Sequence, residues 1–297
     1  MGSPRRRLLP DPLPGGALAL GAVDAGRAWL ATLEQVFAEV VENWELEVGE
    51  PFPDASASLA LAAVRRDGQP VVLKLQFPHR EAEHVAAALA EWGGDGAVRL
   101  LAHDPGRHAL LLERCRPGTP LFGLDQDAAL DVLIELLPRL WRPAGPPFTS
   151  LAEEAAHWAA TLPLGWERAG RPFEGGLVDA ALGVIGELAP TQGEQVLVHQ
   201  DLHTGNVLRA EREPWLVTDP KPLTGEREFS LAPIVRGAEL GHGRGHVIRR
   251  LDRLSGELRL DRERARGWAF VQTLAWSIED TVVWSEMIEI ARCLRDG

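Results

Sequence analysis

Residues 196–219 read VLVHQDLHTGNVLRAEREPWLVTD. Short apolar runs, VLVH, NVLR and WLVTD, alternate with polar turns, so the stretch predicts brief strands with polar residues gathered at their ends. His199, Asp201 and Asn206 take the form H-x-D-x-x-x-x-N, and Asp219 follows Asn206 by thirteen positions across an apolar strand. Phosphoryl transfer from ATP needs this inventory: one carboxylate to orient the attacking hydroxyl and take its proton, and an amide with a second carboxylate to hold Mg²⁺ against the phosphates. In that reading Asp201 is the first group, and Asn206 and Asp219 are the metal pair. The tight loop brings Asp201 and Asn206 to one edge, and a short apolar hairpin returns Asp219 beside them. Two other readings stay open at this point: a polar turn between core strands, and a metallohydrolase using His199, Asp201 and His203. His242 and His246 fall in the glycine-rich segment around 241–245 and read as loop polarity.

C-terminal to this stretch the pattern is helical to the end of the chain, with a loop at Gly241–Gly245. Glu279 and Asp280, in the phrase WSIED, are placed on the last long helix, with Trp276 close enough to offer an aromatic face to a cationic ligand. Trp268, Trp276 and Trp284 recur every eight residues, which drifts around a helix and reads mostly as core. Toward the N-terminus, Leu130, Leu133, Ile134 and Leu137 define a helix ending near Pro138, and residues 150–161 and 177–188 predict two more. Arg116-Pro117-Gly118-Thr119-Pro120 is the clearest break in the chain.

Before that break the period changes. Trp29, Leu33, Val36, Phe37, Val40 and Trp44 give a helix over 25–44, with Asp24 as its cap. Residues 59–65 and 71–76 flank Asp67-Gly68 as a hairpin, residues 80–92 return to helical character, and residues 98–103 and 108–113 flank Asp104-Pro105-Gly106. The order is helix, three strands, helix, two strands: a small sheet with a helix packed on it. Within VVLKLQ, Lys74 sits between apolar residues, where an ammonium is costly to bury unless paired. Glu81 on the following helix is the candidate partner, with Glu83 as the alternative.

Composition narrows the function classes. Among 297 residues, 43 acidic against 31 basic side chains leave a net charge of −12, which repels phosphate backbones and argues against nucleic acid as a partner. It suits a cationic small-molecule acceptor better. Two cysteines, Cys115 and Cys293, cannot build a disulfide framework and fit a reducing, cytoplasmic setting. No uncharged apolar run approaches the roughly 18 residues of a membrane span. Arg5-Arg6-Arg7 precedes an apolar stretch broken by Asp11 and prolines, so it reads as a basic tail rather than an export signal.

The phrases LKLQFPHREAE, EWGGDGAVRLLAHD, LLLERCRPG, LVHQDLHTGNVL, EPWLVTDPKPLTG and WSIED carry a resemblance. Nearly the whole chain beyond the first twenty or so residues resembles the aminoglycoside phosphotransferases, and more narrowly the streptomycin 6-kinase and hydroxyurea phosphotransferase group. The resemblance implies an α+β, two-lobed protein-kinase-like fold, with an N-lobe over residues 1–116 (an antiparallel sheet with its helix) and a mostly helical C-lobe over 117–297. It implies an ATP- and Mg²⁺-dependent O-phosphotransferase, a monomer or weak homodimer, acting on streptomycin or a related aminoglycoside, with hydroxyurea as the alternative acceptor. It further implies that Lys74 holds the donor phosphates and Glu81 fixes it, that Glu113 to Cys115 form the hinge facing adenine, and that residues 53–58 cover the phosphates through Ser56 and Ser58. Glu279, Asp280 and Trp276 fall to the acceptor. Two departures stand out. Ser230 replaces an aspartate that normally braces the catalytic loop, which raises the alternative of a catalytically weakened nucleotide-binding homologue. Gln200 stands where relatives often carry Trp, at a position expected to border the substrate.

Overall fold

The structure, a computed structural model, describes residues 9–10, 13–53 and 57–297. Arg5–Arg7, Asp11 and Ser56 lie outside the described residues. The chain divides into two compact units, one of residues 1–94 and 98–116, the other of 95–97 and 117–297.

The first unit begins with α1 (Gly15–Ala19) and α2 (Asp24–Asn43), then β1 (Leu46–Pro51), β2 (Ser58–Arg65), β3 (Pro70–Gln76), α3 (Val85–Trp92), β4 (Leu100–Asp104) and β5 (Ala109–Glu113). Val23 is the N-cap of α2, and Asp24 instead occupies its first turn, paired with Arg27. The five strands form one antiparallel sheet in the order β1-β2-β3-β5-β4. The Asp67-Gly68 turn closes β2 onto β3, with Gly68 at φ +84°, where glycine carries no side-chain clash. Alternation then sorts the faces. Leu59, Leu61 and Ala63 of β2, Val71, Leu73 and Leu75 of β3, and Ala109 and Leu111 of β5 pack against Leu33, Phe37 and Val40 of α2. Lys74, one residue out of phase with that set, lies between Ala60 and Leu110 in the central strand.

The second unit contains α4 (Gln126–Leu140), α5 (Leu151–Arg168), α6 (Gly175–Leu188), β6 (Val196–His199), β7 (Val207–Arg209), β8 (Trp215–Val217), β9 (Pro222–Gly225), α7 (Ala232–Arg236), α8 (Arg244–Leu258), α9 (Arg262–Ala275), β10 (Ile278–Glu279), β11 (Val282–Val283) and α10 (Ser285–Arg295). Residues 95–97 belong here because Gly96 O accepts the Val217 N–H at 2.9 Å and Asp95 accepts from Arg139 at 2.7 Å. Pro138 does not end α4, which runs to Leu140: in the last turn a missing N–H removes one bond without breaking the packing of Leu136, Leu137 and Leu140. α9, buried from Gly267 to Leu274, is the spine of the unit. Gly267 lets it approach α6 so closely that a Cβ there would lie 2.8 Å from Leu188 Cδ1. Trp268 meets Phe229 edge-on at 5.9 Å, and Phe229 meets Trp158 at 6.0 Å.

The expectation of helix to the C-terminus fails at one place. WSIED does not lie on a long helix: Trp276 caps α9, and Glu279 and Asp280 sit on the exposed two-residue hairpin β10–β11. The β-branched pair Val282-Val283 closes that hairpin, and Asp280 turns it at φ +52°. Of the tryptophan series only Trp268 is fully buried, while Trp284 is exposed.

Candidate active site

The strand β6 delivers His199 at its end, and the chain then turns sharply through Gln200, Asp201 and Leu202. His199 is buried, and both ring nitrogens are used. Nδ1 accepts the Asp201 N–H at 3.1 Å and Nε2 donates to Thr218 O at 3.1 Å. Only the neutral Nε2–H tautomer satisfies both bonds. Burial favours that form, pulling the imidazole from its ordinary 6.5 down to about 4. A ring engaged on both sides is a brace between the Asp201 and Thr218 segments, so the metallohydrolase reading falls.

The turn is closed by its own residues. His203 Nδ1 accepts the Gly205 N–H at 3.1 Å, and a Cβ on Gly205 would stand 2.7 Å from that ring. Glu239 Oε1 accepts both the N–H and the hydroxyl of Thr204, at 3.1 and 2.9 Å. Asn206 Nδ2 donates to Asp201 O at 3.0 Å, which turns Oδ1 away as the oxygen suited to a ligand. The hairpin of β7 and β8 pairs Val207 with Val217, and Thr218 N–H donates to Asn206 O at 2.9 Å, so Asp219 returns beside Asn206 as the spacing predicts. Asp219 holds φ +53°, a left-handed conformation uncommon outside glycine and concentrated at functional positions. A carboxylate and an amide oxygen are hard donors that fit Mg²⁺, which keeps waters and phosphate oxygens for its other positions. Among the described residues no group of three or more His, Cys, Asp or Glu forms a protein-only metal cage.

Asp201 carries the main electrostatic feature. Its Oδ1 pairs with Arg236 Nη2 at 2.8 Å and its Oδ2 with Lys221 Nζ at 3.2 Å. Burial pushes this carboxyl up, but Lys221 and then Arg236 outweigh it and hold the group below the usual aspartate range. Both cations also face the Trp276 ring, the Arg236 guanidinium at 4.3 Å from its centroid and the Lys221 ammonium at 4.8 Å. Trp276, expected to face an acceptor, therefore carries the chain's own cations. Sequence reasoning missed Lys221 and Arg236, although a lysine two residues past Asp219 and flanked by prolines was available as a signal.

Behind the loop, Gln200 is buried. Its N–H donates to Lys221 O at 3.1 Å and its carbonyl accepts from Gln272 Nε2 at 2.7 Å. The residue is 1% exposed. Ser230 is equally buried, with its hydroxyl between Arg227 O (2.5 Å) and Trp141 Nε1 (3.1 Å). The loop's bracing runs instead through His199, Gln272 and Glu239.

In the first unit, Lys74 is buried in β3. Glu81 lies in the single 3₁₀ turn Arg80–Ala82 ahead of α3, not on that helix. Ser58 is not a loop residue: it opens β2, buried, opposite Gln76. The N–H of Glu113 donates to Arg99 O and its carboxylate accepts the Arg99 N–H, at 2.9 and 3.0 Å. Of the predicted hinge, Glu113 is thus tied to Arg99, and Cys115 follows half-buried two residues on.

Residues 43–287 match the family described as aminoglycoside/hydroxyurea antibiotic resistance kinase. The chain belongs to that family. A streptomycin 6-kinase of Streptomyces griseus is 38% identical over 283 residues, covering 91% of this chain and 92% of that one. A hydroxyurea phosphotransferase of Kitasatospora aureofaciens is 40% identical over 277 residues, covering 90% and 79%. Among solved structures, the choline kinase of Streptococcus pneumoniae superposes with a TM-score of 0.63 at 13% identity, over 89% of this chain and 99% of that one. That likeness identifies the protein-kinase-like fold of this antibiotic-resistance kinase family member. No helix among the described residues is long and apolar enough to cross a membrane.

Proposed function

We propose that the chain is an ATP-dependent O-phosphotransferase whose acceptor is an antibiotic of the streptomycin type. The observation that carries this reading is an ionised Asp201 held at the lip of a braced loop, with Asn206 and Asp219 brought together by the β7–β8 hairpin. Asp201 orients the acceptor hydroxyl and takes its proton as the oxygen attacks phosphorus. Mg²⁺ held by Asn206 and Asp219 would neutralise charge on the phosphates. Lys74, with Glu81, serves the donor phosphates, and the Glu113–Cys115 segment serves the base. Glu279 and Asp280, exposed on their hairpin, suit the guanidinium groups of a cationic acceptor, which pair bidentately with carboxylates. The working compartment is the cytoplasm, where thiols such as Cys115 and Cys293 stay reduced.

A second reading, hydroxyurea as acceptor, is favoured by the 40% identity to the hydroxyurea phosphotransferase. ADP release with Mg·ATP against streptomycin, other aminoglycosides and hydroxyurea separates the two. The expected result is turnover with streptomycin and its loss by roughly 10²–10⁴ in Asp201→Asn, which keeps the shape and removes the base. Unchanged turnover in that variant refutes the mechanism.

A further inference from the structure

Asp201 is an unusual base in one respect. Both carboxylate oxygens already carry a cation, so an acceptor hydroxyl has to share an oxygen with one of them or displace it. The two cations are anchored very differently. Arg236 is 8% exposed, sits 2.8 Å from Oδ1 and lies 4.3 Å over Trp276. Its surroundings are clamped as well: Arg250, fully buried, donates to Val235 O at 2.8 and 3.1 Å, to Leu240 O at 3.0 Å and to Gly241 O at 2.9 Å. Lys221 is 30% exposed, its contact to Oδ2 is 3.2 Å, and its ammonium rides on a flexible four-carbon stem. Its backbone is fixed by Gln200 N–H on Lys221 O and by the start of the β6–β9 pairing at His199 and Pro222.

We propose that Lys221 is a second catalytic residue. Its ammonium, parked between Asp201 Oδ2 and the Trp276 indole, passes to the oxygens of the phosphoryl group in flight when the acceptor hydroxyl takes its place on Oδ2. Arg236 stays on Oδ1 as a positioning residue. This rests on the phosphotransferase reading above. In the step, the acceptor O–H gives its proton to Oδ2, a new O–P bond forms to the γ-phosphorus, and the bond from that phosphorus to the bridging oxygen breaks, its electron pair leaving with ADP. Charge gathers on the equatorial oxygens of the transferred group, and a lysine arriving there stabilises the transition state more than the ground state. Lys221 is suited to this place, since it lies two residues beyond Asp219 and its ammonium contacts Asp201.

The test compares wild type with Lys221→Ala, Lys221→Met and Lys221→Arg. Binding is read by tryptophan fluorescence with Mg·ADP alone, then with Mg·ADP plus aluminium fluoride, a planar mimic of the phosphoryl group. Wild type is expected to gain affinity on adding aluminium fluoride. The alanine and methionine variants should bind Mg·ADP as wild type does but lose roughly 10²–10³ of that gain, and Lys221→Arg should recover part of it. With a competent acceptor, the loss should appear in kcat rather than KM, and added methylammonium should restore turnover to Lys221→Ala. Equal affinity of wild type and both neutral variants for the aluminium fluoride complex overturns the role of Lys221 and leaves the function reading standing. Failure of wild type to bind Mg·ADP at all overturns the nucleotide reading and this proposal with it.

Discussion

Replacing His199 with glutamine should change how the protein responds to acid while leaving its neutral-pH structure in place. The glutamine amide offers an acceptor for Asp201 N–H and a donor for Thr218 O, the two bonds His199 makes at 3.1 Å each, but it does not titrate. In the wild type the folded imidazole protonates only near pH 4, against an ordinary value of 6.5. The unfolded chain therefore binds the proton first as pH falls, and stability drops across that window. At about 1.4 kcal/mol per pH unit, the cost reaches ~2 kcal/mol between about pH 7.5 and about pH 5. Urea unfolding followed by tryptophan fluorescence reads this unit through Trp158, Trp268 and Trp276. The expected result is a wild-type stability that falls by ~2 kcal/mol more than that of His199→Gln over this range. His199→Ala should be destabilised at every pH, because it leaves a buried N–H and a buried C=O without partners, at ~1–3 kcal/mol each. A difference between wild type and His199→Gln that stays flat from about pH 7.5 to about pH 5 refutes the buried neutral imidazole.

Three further outcomes follow from the packing. Glu226 is buried and accepts from Arg264 at 2.8 to 3.1 Å, from Trp268 Nε1 and from Gly193 N–H at 3.2 Å, so Glu226→Ala should cost about 3–5 kcal/mol in urea unfolding. Ser230→Asp should not raise kcat, since Ser230 bonds Trp141 and Arg227 rather than the catalytic loop; a thermal melt should reveal a loss of at least ~1 kcal/mol from burying the new carboxylate. A gain in turnover would restore the idea of a missing brace. Glu239→Gln, which keeps one acceptor oxygen for Thr204, should lower kcat less than Glu239→Ala in the ADP-release assay, and equal losses would remove Glu239 from the loop's support.

The first unit was legible because its sheet obeys a strict period of two on the face toward α2, with the Asp67-Gly68 turn marking the register. β1 escaped localisation because LEVGEP carries only one strong strand former, Val48, and ends on proline. β9 was missed for a related reason. PLTG reads as a turn, yet proline is tolerated at the first position of a strand, and pairing with VLVH makes it one. The juxtaposition of Asp201, Asn206 and Asp219, the proposed site, was readable because local turns and one hairpin assemble it. Arg236 was not, since its approach to Asp201 depends on tertiary packing around Trp276, and Lys221 offered only its place two residues past Asp219. Arg250 was invisible for the opposite reason: in RRLDRL it looks like one more solvated charge, and only its 0% exposure sets it apart.

The β10–β11 hairpin has a consequence for how such an enzyme diversifies. Exposed positions away from special contacts usually tolerate substitution within about 0.5 kcal/mol, whereas the phosphoryl-transfer loop is stitched to buried histidine, glutamine and arginine side chains. Glu279 can thus be exchanged at little thermodynamic cost, while Asp280, at φ +52°, is confined to residues that accept a left-handed backbone. On the acceptor role proposed for Glu279 and Asp280, natural variants drifting toward new drugs are expected to change residue 279 freely and to keep Asp, Asn or Gly at 280, so that selectivity evolves without remaking the chemical machinery.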